Sequence, residues 1–121
     1  MFETTDLTYC ILCGKEITEG LDHNNPDPLV APDENGFIGD CCGECNLRYV
    51  RPARSILWAT DPNLSARDRK ECPTLIPYVQ KMPLGTLRNA LDSEDPLAAF
   101  RTFRKKCQRQ ERWSWLKYVF K

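Results

Sequence analysis

Two Cys-x-x-Cys pairs constrain this chain more than any other feature. Cys10-Ile-Leu-Cys13 and Cys42-Gly-Glu-Cys45 stand 28 residues apart. Each pair offers two thiolates from one tight turn, and Zn–S bonds of about 2.3 Å close a tetrahedron when two such turns face each other. The spacing predicts one structural zinc ion held by Cys10, Cys13, Cys42 and Cys45. A redox Cys-x-x-Cys would sit beside a βαβ pattern, and none is read here. Gly14 suits the turn after the first pair, since glycine adopts positive φ at little cost. Cys41 abuts the second pair, but the two-residue spacing favours Cys42 as the ligand. Cys72 and Cys107 have no neighbour at ligand spacing and read as buried thiols.

The cysteine total, seven, is odd, which argues against a secreted disulfide framework. The polar start Phe2-Glu3-Thr4-Thr5-Asp6 lacks a signal-peptide pattern, and no apolar run reaches membrane length. The expectation is a cytoplasmic protein without a membrane partner. With 121 residues, nine prolines and six glycines, a large uniform core is not expected, and a metal would supply the missing stability.

The net charge of zero conceals a division. Residues 1–45 hold ten acids and one base, Lys15, whereas residues 46–121 hold sixteen bases and seven acids. The basic extreme is residues 97–121, with eight Lys and Arg against Glu111 alone. The two halves can therefore bind opposite partners, or each other.

The reading along the chain gives a small α+β fold. A zinc-stapled, treble-clef-like module covers residues 1–54, and a basic, mainly helical extension covers 55–121. Leu7, Tyr9 and Ile11 alternate with polar neighbours as a short strand. Asn35-Gly36 predicts a hairpin turn between strands at 29–31 and 37–38. A helix from Gly43 is expected to end near Val50, ahead of Pro52. Ser65 caps a short helix at 66–71, and Pro73, Pro77 and Pro83 then predict an extended path. Thr86 is expected to cap a helix at 87–92. Asp95-Pro96 opens a long amphipathic helix, about 96–120, with Leu97, Phe100, Phe103 and Cys107 on one stripe. Its aromatic end, with Trp113, Trp115, Leu116, Tyr118 and Phe120, predicts docking on the rest of the chain, on a second copy or on a partner.

Asp22-His23-Asn24-Asn25-Pro26 lies between the pairs, and Asn46 follows the second. Here residues 10–49 resemble the HNH endonucleases, in which a zinc-bound treble clef carries Asp-His-x-x-Pro and ends its last Cys-x-x-Cys with His or Asn. The resemblance implies Asp22 and Asn46 as ligands of Mg²⁺ or Mn²⁺, with His23 as general base. A second resemblance covers residues 10–54: CxxCG, NNPDPL, CCxxCN and Val50-Arg51-Pro52-Ala53-Arg54 are similar to small zinc-binding proteins of bacteriophages. It implies a phage-type protein acting inside a bacterium with no defined catalysis, and Asn24, Asn25 and Pro26 then shape the loop through Asx-turns.

Phe37 stands where the nuclease pattern has a second Asn, and an acidic lobe is poorly suited to approach phosphates. The favoured expectation is therefore a non-catalytic zinc protein that binds and modulates a host macromolecule of the transcription or defence machinery. Asp33 and Glu34 are the candidate contacts of the acidic lobe. Arg104, Lys105, Arg109, Trp113 and Trp115 are those of the basic helix, which suits nucleic acid or a homodimer. The alternatives are an HNH-type endonuclease and a nucleic-acid-binding protein.

Overall fold

In the computed structural model, residues 8–17 and 23–119 are described, with side chains through Ser114. The order is strand β1 (Thr8–Tyr9), strand β2 (Glu16–Ile17), a helical run α1 (43–57), helix α2 (Ala66–Val79), helix α3 (Leu84–Asp92) and helix α4 (Pro96–Val119). The molecule is thus mostly helical, with one two-stranded sheet among the described residues.

β1 and β2 pair antiparallel across the first cysteine turn, with Thr8 opposite Ile17 and Tyr9 opposite Glu16. The expected hairpin at 29–31 and 37–38 is not formed. Asn35-Gly36 does turn, with Gly36 at φ +84°, but the carboxylate of Asp33 accepts from the N–H groups of Asn35 and Phe37 at 2.8 and 3.0 Å. That Asx-turn closes the loop locally, and the flanking residues join no ladder. Among the described residues the one further β-bridge is antiparallel, Asn24 with Cys41.

α1 contains an α turn at Gly43–Cys45, a π-helical stretch at Asn46–Val50 and an α-helix at Arg51–Leu57. It passes Pro52 rather than stopping before it. The N–H of Arg51 bonds back to the carbonyl of Asn46, a five-residue span that widens the helix just ahead of the proline ring. α1 ends with the N–H of Thr60 on the carbonyl of Ser55 and that of Ala59 on the carbonyl of Ile56. This is a Schellman closure, with Ala59 at φ +54° where glycine is usual.

α2 begins as the sequence suggests, the Ser65 hydroxyl accepting from the N–H of Asp68 at 3.1 Å. It then runs through Pro73 and Pro77, where an extended path was expected. Both prolines and Arg69 lie on the exposed face, so carbonyls deprived of an N–H partner point to water. The inner face, Cys72, Leu75 and Val79, is buried and holds the helix in place. Tertiary burial here outweighs a local penalty of about 3 kcal/mol per interior proline. α3 starts at Leu84, earlier than a Thr86 cap would allow, with Pro83 as its N-cap. α4 opens as read: the Asp95 carboxylate accepts from the N–H of Ala98 at 3.1 Å.

One apolar cluster runs through the structure. Ile17, Leu29, Val50, Ala53 and Leu57 join Leu75, Val79, Leu87, Leu97 and Phe100, with Cys10, Cys41, Cys42, Cys45 and Cys72 among them. Cys107 is only half-buried. No described helix is long and apolar enough to cross a membrane.

Candidate metal centre

The two cysteine turns meet. The Sγ atoms of Cys10, Cys13, Cys42 and Cys45 all lie within 4.8 Å of one another, and Cys13 and Cys42 are 3.9 Å apart. Four sulfurs at about 2.3 Å around a tetrahedral ion would stand about 3.8 Å apart, so this set fits a thiolate-bound metal. It is the one such cluster of His, Cys, Asp or Glu among the described residues.

The first turn is built from backbone bonds. The carbonyl of Cys10 accepts from the N–H of Gly14 at 2.9 Å, its N–H reaches the carbonyl of Lys15 at 2.7 Å, and Gly14 sits at φ +80°. The amides of Leu12 and Cys13 both point at the Cys10 sulfur, at 3.4 Å. Burial pushes the Cys10 thiol up, but amide bonds from Cys13, Cys42 and Leu12 outweigh it and bring it down to about 7. The cradle therefore favours thiolate, the form a metal takes.

The second turn leads straight into α1. Cys42 is its N-cap, Cys45 lies in its first turn, and the carbonyl of Cys42 accepts from Asn46 N–H at 2.9 Å. A helix N-terminus favours negative charge, which suits two thiolates there. Cys45 is buried, and burial together with the neighbouring sulfurs pushes its thiol up. Four crowded sulfurs cannot all ionise unless a cation compensates them. Cys41 stays outside the set. It is fully buried, exchanges two backbone bonds with Asn24 and has its thiol pushed up to about 11, chiefly by burial.

The backbone of Asp40 ties the turns together, its carbonyl accepting from Ile11 N–H at 2.9 Å. Its carboxylate meets His23 Nδ1 at 3.0 Å. Asn24 donates its amide to the Cys41 carbonyl, and Asn25 accepts from Asp27 N–H at 2.9 Å in an Asx-turn. Pro26 is fully buried. These residues shape the loop, Asn25 through an Asx-turn and Asn24 through its bond to Cys41. Asp22 lies outside the described residues, and Asn46 is half-buried in the first turns of α1.

Arg54 escaped the sequence reading as a structural residue. Its guanidinium donates to the carbonyls of Asp27 at 2.7 Å and Asn25 at 2.8 Å, and it stacks 5.1 Å from the Trp58 ring centre. It thereby clamps the irregular loop to α1. Gln80 of α2 adds a bond to the Pro28 carbonyl at 3.0 Å. The only sequence signal was the placement of Arg54 in Val-Arg-Pro-Ala-Arg, two residues past the proline.

The remaining candidates fall on separate surfaces. Asp33 and Glu34 occupy the exposed turn before Phe37, with Asp33 engaged in its own loop. Arg104 pairs with Glu71 of α2 and so belongs to the helix packing. Lys105, Arg109 and Trp113 are exposed, while the side chain of Trp115 lies outside the described residues.

The fold and the cysteine set define a small, mainly helical protein with a metal-competent tetracysteine centre. No family model matches the chain, and neither the curated proteins nor the solved structures include a match to it.

Proposed function

We propose that this chain is a zinc-stapled, treble-clef-like regulatory protein of the phage type that acts by binding a host macromolecule in the bacterial cytoplasm. The observation that carries the reading is the tetracysteine cluster, all four sulfurs within 4.8 Å. Four thiolates fill a tetrahedral zinc ion, so no position remains for water or substrate, and such closed sites are structural. A stapled lobe with no reactive position on its metal is suited to presenting a surface. Transcription or defence machinery is the target class we favour.

Metal analysis of protein purified without chelator is expected to give one zinc per chain, lost in Cys13→Ser. Incubation with supercoiled plasmid and Mg²⁺ or Mn²⁺ is expected to leave the plasmid intact. A chain free of zinc would sink the proposal.

The nuclease reading has one observation in its favour. Asp40 holds Nδ1 of His23, an arrangement that orients the ring and leaves Nε2 to accept a proton. Nicking that disappears in His23→Ala would establish it and overturn the non-catalytic assignment.

A further inference from the structure

The sixteen-base half of the chain does not spend its charge evenly. On α4, Arg101 pairs with Asp68 and Glu71, and Arg104 pairs with Glu71. Glu111, the one acid of residues 97–121, is 3.7 Å from Lys81 in the turn between α2 and α3. Lys105, Lys106, Arg109 and Arg112 are exposed, and none forms an ion pair with a described acid. At about 100° per residue, Lys105, Arg109 and Arg112 fall within about 60° of one another, and Lys106 and Trp113 extend that face to about 120°. Phe100, fully buried, projects from the opposite side. The basic face therefore points away from the body that α4 packs against. It runs about 10 Å along the axis from Lys105 to Arg112. At its end Trp113 is 62% exposed, which is unusual for the largest apolar side chain.

We propose that this face of α4 binds single-stranded nucleic acid, the cations lying along phosphates and Trp113 stacking on a base. The inference rests on the binding-protein reading above and names the chemistry of the partner. Charge complementarity selects a polyanion, because four neighbouring cations without acids repel one another until phosphates neutralise them. The exposed indole selects a strand whose bases are free to stack, since duplex bases already stack on each other. An acidic protein surface would meet the charges but offers nothing comparable to the ring.

The test uses the full zinc-loaded chain and fluorescence anisotropy with labelled oligo-dT, oligo-U and a duplex of equal length. Either single strand is expected to bind more tightly than the duplex. With three phosphates neutralised, log K is expected to fall against log salt with a slope of about −2. Arg109→Glu is expected to weaken binding at least about tenfold, while Lys70→Glu, the same charge change on the exposed side of α2, changes it less than about twofold. Trp113→Ala is expected to cost about tenfold on single strands and little on the duplex. Zinc content and circular dichroism measured on each sample confirm that the variants fold.

No binding at low salt by folded, zinc-loaded protein overturns this inference and leaves the metal-stapled reading standing. Equal binding of duplex with no effect of Trp113→Ala overturns the single-strand assignment. Salt-sensitive dimerisation that Arg109→Glu abolishes, without oligonucleotide binding, would instead give the face to the acidic half of a second copy. A zinc-free but binding-competent chain would sink the earlier proposal and not this one.

Discussion

The cysteine lobe and the α2–α4 pair are stabilised by different means. From Thr8 to Cys42 the described buried residues are chiefly sulfur and proline, with Ile17 and Leu29 the only buried large aliphatics. The strands are two residues long, and most of the lobe is loop held by single backbone bonds. α2 and α4, by contrast, pack on each other along buried Cys72, Leu75, Leu97 and Phe100 and are framed by Arg101 and Arg104 against Asp68 and Glu71. Hydrophobic burial scales with apolar area, and the lobe has little to bury. A cation bound by the four cysteines would supply what that area cannot. The difference marks the cysteine lobe, and not the helical pair, as the region a metal on these four cysteines would stabilise.

Removing the metal should have the largest effect. Chelation, or Cys42→Ser, is expected to cost on the order of 10 kcal/mol of apparent stability. Hydrogen exchange is the discriminating measurement. Amide protection at Gly14, Ile11 and Cys41 should vanish, while protection in the middle of α2 and α4 persists. If the helices melt together with the lobe, the two regions are one cooperative unit, and the shared cluster around Val50 and Leu57 is what joins them.

The converse substitution targets the helical side. Phe100→Ala removes the largest fully buried side chain among the described residues, and truncations of this kind cost about 3–5 kcal/mol. The thermal midpoint should fall while zinc content stays at one per chain. Loss of zinc on this substitution would show that the core also shapes the metal cradle.

The two regions also differed in how plainly the sequence spoke. Ligand spacing is a covalent fact, so Cys10, Cys13, Cys42 and Cys45 could be named before any fold, and Asp95-Pro96 marked the start of α4 for equally local reasons. Proline misled in the helical half. Pro52, Pro73 and Pro77 each carry a local penalty, but whether a helix tolerates one depends on which face it occupies. For α2 that is decided by packing against residues of α4 such as Phe100 and Arg101, about 25 residues further along the chain. Asn35-Gly36 gave the turn but not its flanks, because the Asp33 carboxylate captured amides a ladder would have used. Arg54 was illegible for the same reason: its partners, the Asn25 and Asp27 carbonyls, are brought to it only by the folded loop.

A smaller effect should appear with pH on the helical side. The guanidiniums of Arg101 and then Arg104 beside Glu71 hold its carboxyl below the usual value of 4.5. A group whose pKa is lower folded than unfolded stabilises the fold above the unfolded value. That contribution fades as pH drops below 4.5 and is gone once the folded pKa is passed. Glu71→Gln should therefore lower stability at neutral pH and flatten this part of the acid limb in denaturant titrations. An unchanged acid limb would remove the Arg101–Glu71–Arg104 cluster from the account of how α2 and α4 stay paired.

The smallest expected change is a gain, at the seam between the two regions. Ala59 closes α1 with φ +54°, a conformation that costs an L side chain about 1–2 kcal/mol and glycine almost nothing. Ala59→Gly relieves that strain but gives up a methyl packed against the core and loosens the unfolded chain, which together return part of the gain. The net expectation is a rise of about 0.5 kcal/mol, seen as a higher denaturant midpoint with an unchanged slope. Because the bonds from Thr60 to Ser55 and from Ala59 to Ile56 remain, zinc content and the protection of α1 should not move. A fall in stability would mean that the Ala59 methyl, and not the backbone turn, is what secures the end of α1 against the helical body.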